Sequence, residues 1–326
     1  MERKYSVFID HVGTFCDRYC SAYSDRRFTV SEKFDRVAQL PLLSAVDISM
    51  SEEYKNAKDE IKNCIKKTGL KVNCVMMDST SDRIYRQGSL SNIDRSIRQK
   101  ALDEAKEDMD FALELGCNTF ALWPGQDGYD YRFQADYERE RRLFEEGIRE
   151  LSQYRPEMNI AIEYKPREPR NFCYMDSMAG TLLMIEKLGL SNVGVAMDYG
   201  HSYYSGENPA EAVALLHMYG GKLMAVHMND NYGGWDDDMI AGSVNTLAYL
   251  EYIYWLRRTE YNGYITFDQF PYREESQEAV GESACWLDYL ESILDSTDPD
   301  EIECVLKKKD GIAASRLMRR LISSNI

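Results

Sequence analysis

Apolar and polar positions alternate in two different rhythms along this chain. Short runs rich in Val, Ile, Phe and Met read as buried strands: YSVFID (5–10), AVDISM (45–50), LKVNCVMM (70–77), NTFALW (118–123), NIAIEYK (159–165), NVGVAMD (192–198), KLMAVHM (222–228) and GYITFDQF (263–270). Between them the apolar spacing lengthens to the helical period, as at 53–67, 92–116, 134–154 and 209–219. Eight strand–helix units in unbroken alternation predict an α/β fold, a single (β/α)8 TIM barrel. A doubly wound open sheet is the competing architecture. It wants a glycine-rich phosphate turn after the first strand, where this chain reads DHVGTFCDR.

No linker or composition shift divides the chain, so residues 1–295 are expected to form one barrel domain. Residues 296–326 lie outside the eight units. There Ile312, Leu317, Leu321 and Ile322 fall near one helical face, which predicts a helical extension packed on the barrel or on a partner.

The 326 residues carry a formal charge of −16, which repels phosphate backbones and anionic lipid and attracts divalent cations. Nucleic-acid and membrane partners are therefore not expected. No apolar stretch approaches the length of a membrane span. The eight cysteines follow no metal-finger spacing, and the start MERKYSVFIDH lacks a signal-peptide core. Both features suit a reducing cytoplasm.

Chemistry in such a barrel belongs at the C-terminal strand ends, where the unusual residues collect. Strand five ends in Glu163 and Lys165, two apart and hence on one face. Strand six ends MDYGH, with Asp198 and His201. Strand seven ends HMND, with His227 and Asp230, followed by WDDD, Asp236 to Asp238; strand eight carries Asp268. Singly, each has a plain explanation: a helix cap, a satisfied histidine, a solvated turn. Four successive strands delivering carboxylate or imidazole at the same end point instead to a metal centre. Glu163, Asp198, His227 and Asp268 form the main ligand set. Three carboxylates, one imidazole and no thiolate suit Mn²⁺, or Mg²⁺ or Co²⁺, better than structural zinc. His201, Asp236 and Asp238 are candidates for a second ion, with Asp198 as a bridge. Lys165 is then a cation placed to polarise a substrate oxygen.

These motifs resemble the xylose-isomerase-like TIM barrels: E-x-K on strand five, D-x-x-H on strand six, H-x-N-D followed by D-x-D, and Asp on strand eight. The pattern of L-rhamnose isomerase is similar down to DDDMIAG (236–242), and WPGQDGYDY (123–131) looks like a substrate loop of the family. The resemblance implies a sugar substrate and reaction through an enediolate on the metal, with Lys165 and His201 catalytic. It also implies substrate contacts from His11, Trp123, Gln126 and Arg167. For the base, Lys165, His201 and a metal-bound water stay open. Family members that open a pyranose ring carry a histidine at the end of strand two, where this chain has Asp47-Ile48-Ser49-Met50. One branch needs no ring opening. It comprises the catalytic subunits of C-glycoside deglycosidases, which act on closed-ring 3-oxo-glycosides beside a small β-rich partner subunit. That branch is the leading expectation, with higher oligomers allowed. The alternative is an aldose–ketose isomerase or epimerase of the L-rhamnose isomerase type.

Overall fold

A computed structural model describes residues 4–323. Eight parallel strands form the barrel: β1 (Tyr5–Val7), β2 (Ala45–Ser49), β3 (Lys71–Met77), β4 (Thr119–Leu122), β5 (Asn159–Glu163), β6 (Val193–Asp198), β7 (Leu223–Met228) and β8 (Ile265–Phe267). From β2 to β8 each pairs with the next, and β8 returns to β1 through Tyr5↔Ile265 and Val7↔Phe267. Isolated parallel bridges Tyr5↔Leu43 and Phe8↔Asp47 close the remaining seam between β1 and β2. A closed sheet leaves no strand edge to pair with another chain.

Period-two alternation decides what enters the barrel. Ala121, Ala161, Ala196 and Ala225 belong to a small interior cluster with Phe8, Cys74 and Met76. Glu163, Asp198 and His227 each stand two residues beyond one of those alanines, so they share its face. On the other half of the barrel, buried Asp47 accepts from Ser6 (2.6 Å), Asn73 (3.0 Å) and Thr266 (2.9 Å). Asp268 stands two residues beyond Thr266. The larger apolar core lies between the strands and the surrounding helices, with Phe34, Tyr54, Phe120, Phe144, Ile148 and Phe267 fully buried.

Several elements are shorter than the hydrophobic pattern predicts. The first strand ends at Val7, and Ile9–Val12 form a 3₁₀ turn. The run 53–67 breaks at Ala57 into helices Glu52–Asn56 and Lys58–Thr68. The helix expected from 92 starts at Arg95, because the Asp94 side chain caps it by accepting from Ser96 N. A two-residue antiparallel ribbon, Gly128–Tyr129 with Phe172–Cys173, escaped the pattern altogether. It is too short to show any period. The C-terminal segment forms two helices, Pro299–Lys308 and Gly311–Ser323, with Ile302, Leu317 and Leu321 buried. Tyr254 OH donates to Glu303 at 2.9 Å, tying the first of them to the barrel helix Thr246–Arg258. Among the described residues no helix is long and apolar enough to cross a membrane.

Candidate metal centre

Strand register assembles the cluster. Asp198 and His227 are direct partners across β6 and β7, and Glu163 lies opposite Ala196, two residues short of Asp198. Asp268 follows β8 and donates its backbone N–H to Met228 O at 3.0 Å. One ligand atom from each of Glu163, Asp198, His227 and Asp268 lies within 4.8 Å of the other three. Three of the four are buried, with Asp268 half-buried. His227 Nδ1 stands 3.2 Å from Glu163 Oε2 and 3.7 Å from Asp268 Oδ2.

Asp198 does two jobs. Its Oδ1 accepts from His201 N at 2.7 Å, capping the helix Tyr199–Tyr204, while its Oδ2 accepts from Asn229 Nδ2 at 2.9 Å. Gly200 makes this turn feasible, because a Cβ there would collide with Asn229 Oδ1.

The electrostatics of the cluster favour added positive charge. Burial disfavours charge on Glu163, but His227 and His201 outweigh it and hold the carboxyl down at about 2. Burial and neighbouring carboxylates push Asp198 up to about 6 and Asp268 up to about 8. Burial opposes charge on His227 as well, yet Glu163 lifts it to about 9. Protons stand in for positive charge among crowded acids. Both ring nitrogens of His227 and Nδ1 of His201 are buried without a hydrogen-bond partner. Orphaned imidazole nitrogens among oxygen donors fit a divalent cation.

Residues 35–290 match the family described as xylose isomerase-like TIM barrel. The chain belongs to that family. Xylose isomerase of Thermus thermophilus is 29% identical over 237 residues, covering 70% of this chain and 61% of the relative. The chain thus spans about three fifths of that relative's length. Among solved structures, a 3-keto-D-glucoside 4-epimerase from E. coli superposes with TM-score 0.66 at 19% identity, covering 81% of this chain and 96% of that one. A D-psicose 3-epimerase in the presence of D-fructose gives 0.68 at 14%, covering 88% and 99%. At these identities the structural likeness shows the fold alone.

In this xylose isomerase-like barrel the cluster opens on a cavity of about 540 Å³. Lys165, His201, His11, Trp123 and Gln126 line it, as do Asp236 and Asp238. Lys165 lies beyond the end of β5, with its ammonium 2.8 Å from Asp236 and 2.7 Å from Glu168, 5.1 Å above the Trp123 ring. Those carboxylates, with Asp238, overcome burial and raise its pKa well above the ordinary value. His201 Nε2 stands 3.0 Å from Asp236. Asp236 is thus engaged by an ammonium and an imidazole. Among the described residues the close grouping of metal-type ligands is the Glu163 cluster, without Asp236 or Asp238. His11 Nδ1 accepts from Gln269 N at 3.3 Å, and burial pushes its pKa down to about 4.

Two residues fall elsewhere. Arg167 is exposed, 5.5 Å above the Tyr204 ring, and is not among the residues lining the cavity. Asp230 is buried and accepts from Val244 N (2.8 Å) and Asn245 N (3.0 Å), anchoring a loop. Glu168, Asp10 and Tyr272 also line the cavity and were not read as site residues: Glu168 and Tyr272 lie in loops with no period, and Asp10 lies in a 3₁₀ turn where a strand was expected. Glu168, three residues after Lys165, was the most accessible of them.

Proposed function

We infer that the chain is a divalent-cation-dependent enzyme that removes a proton from a sugar carbon beside a carbonyl. The observation carrying this reading is a buried ammonium, Lys165, on the same cavity wall as the Glu163 cluster. Glu163, Asp198, His227 and Asp268 would hold the ion, for which Mn²⁺ is the leading choice. The ion supplies Lewis-acid polarisation of a sugar oxygen. Lys165 is held charged and aimed by Asp236 and Glu168, so it stabilises negative charge as it develops on substrate oxygen. An ammonium has no lone pair to accept a proton. His201, whose Nε2 Asp236 orients, and a water remain the candidates for moving the proton. Burial opposes charge on His201, but Asp198 and Asp236 raise its pKa well above the ordinary value, so without an ion in the cluster it starts as an acid.

The substrate reading is a closed-ring 3-oxo-glycoside. Loss of the C2 proton forms an enediolate. Its electrons then make the C1–C2 double bond as the C1–aglycone bond breaks, and the departing carbon takes a proton. That is the reaction of a C-glycoside deglycosidase, which works with a small β-rich partner subunit. Three observations support it. Ser49 and Met50 stand at the end of β2 in place of a ring-opening histidine. Phe8, Met76, Trp123, Phe270 and Tyr272 give the cavity an apolar side suited to an aglycone. The volume suits a ligand of drug-like size. The names of its relatives, xylose isomerase and D-psicose 3-epimerase, favour a second reading as a free-sugar isomerase or epimerase.

Incubation in D₂O tests both readings. With a 3-oxo-C-glycoside, the lyase reading expects aglycone release or, without a partner subunit, deuterium at C2. Chelation should abolish either and Mn²⁺ restore it. Interconversion of free aldohexoses or 6-deoxyhexoses, with no reaction on the oxo-glycoside, leaves the isomerase reading standing. Full turnover by verified metal-free protein would sink both.

A further inference from the structure

Past β1 the Ile9–Val12 turn brings Asp10 as well as His11 to the cavity. Asp10 has no part in the chemistry above, yet it is elaborately held. Its Oδ1 accepts from Lys33 Nζ at 2.8 Å and from Tyr54 OH at 2.5 Å. Lys33 Nζ also reaches Glu53 Oε2 at 3.1 Å and Tyr54 OH at 3.0 Å. The Lys33 and Tyr54 residues are 7% and 0% exposed, whereas the Asp10 side chain is 40% exposed. Both donors act on one oxygen. Oδ2 takes no hydrogen bond from any described residue.

A buried ammonium and a buried phenol directed at one oxygen hold that oxygen in place and leave the second without a described partner, on a residue that lines the cavity. We propose that Asp10 Oδ2 accepts a hydrogen bond from a substrate hydroxyl and so determines specificity, with Lys33 and Tyr54 as positioning residues. The inference rests on the sugar reading above and deepens it. A carboxylate rewards a hydroxyl donor and repels an anion. Asp78, Glu168, Asp236 and Asp238 line the same cavity, and Lys165 is its one lysine or arginine among the described residues. The geometry therefore selects a neutral sugar or glycoside over a sugar phosphate.

Calorimetric titration of the Mn²⁺-loaded protein tests this through affinity. The probes are methyl 3-oxo-glucoside, its 2-, 4- and 6-deoxy analogues, and its 6-phosphate. Wild type should bind the parent about ten- to a hundredfold tighter than one of the deoxy analogues, as for a hydrogen bond to a charged group. In Asp10→Ala that ratio should collapse to within about twofold, the loss of a single contact. Asp10→Asn keeps Oδ1 on Lys33 and Tyr54 and guards against misfolding; it should weaken the parent while losing most of the discrimination. Lys33→Met should fall between wild type and Asp10→Ala. If both Asp10 variants keep the wild-type preference over every deoxy analogue, or if the 6-phosphate binds tighter than the parent, the inference fails and the sugar reading survives. Wild type that binds none of the probes overturns both.

Discussion

At the scale of single residues, the two charges of the E-x-K motif part company. Glu163 closes β5 and enters the cluster with Asp198, His227 and Asp268; Lys165, two residues on, lies past the last paired residue and turns to Asp236 and Glu168. A buried ammonium is tolerated because it has two carboxylates, and it remains useful because it faces the cavity. Lys165→Met removes the charge and roughly keeps the bulk. Turnover of whichever sugar substrate the D₂O assay identifies should drop by about a hundredfold or more, as for loss of one preorganised electrostatic donor. Mn²⁺ content, measured by atomic absorption, should stay near that of wild type. Near-normal kcat in this variant would reduce Lys165 to a structural ion pair.

At the scale of elements, the junction between β6 and the short helix Tyr199–Tyr204 carries much of the cluster's geometry. Asp198 is at once strand end, helix cap and cluster member. Asn229, just past the end of β7, steadies its second oxygen and needs Gly200 to leave room. Adding one methyl by Gly200→Ala should push Asn229 aside and loosen Asp198. Mn²⁺ affinity, titrated into chelator-stripped protein, should weaken by about ten- to a hundredfold, as when an outer-shell partner is lost. An unchanged affinity would mean that the turn accommodates the methyl without moving Asp198.

At the scale of the whole molecule, the cluster ties stability to pH and metal. In metal-free protein Asp268 titrates at about 8, Asp198 at about 6 and His227 at about 9, all above their ordinary values. Groups whose folded pKa is raised stabilise the fold while protonated and lose that contribution as pH climbs through the folded value. Asp268 and His227 both do so between pH 6.5 and about 8, and His227 continues to about 9. Glu163, held down at about 2, acts only in acid. The melting temperature of chelated protein should therefore fall across that window, by on the order of 5 °C, given that 1 kcal/mol is a few degrees. Saturating Mn²⁺ should raise the curve and flatten it, because the ion replaces the protons. Parallel curves with and without Mn²⁺ would separate the cluster from metal binding.

Much of this was legible from residues alone. The periods two and 3.6 reveal eight strand–helix units because burial imposes them locally, residue by residue. Glu163, Asp198, His227 and Asp268 were readable for the same reason, since each sits at or beside the C-terminal end of an apolar run. What the tertiary structure alone decided involves pairs with no fixed sequence separation. Barrel closure at Phe8↔Asp47, the partnership of Lys165 with Asp236, and the convergence of Lys33 and Tyr54 on Asp10 are of this kind. Loop residues reach such partners through backbone turns and close packing. Neither leaves a period in the sequence, so only the assembled barrel shows which side chains face its cavity.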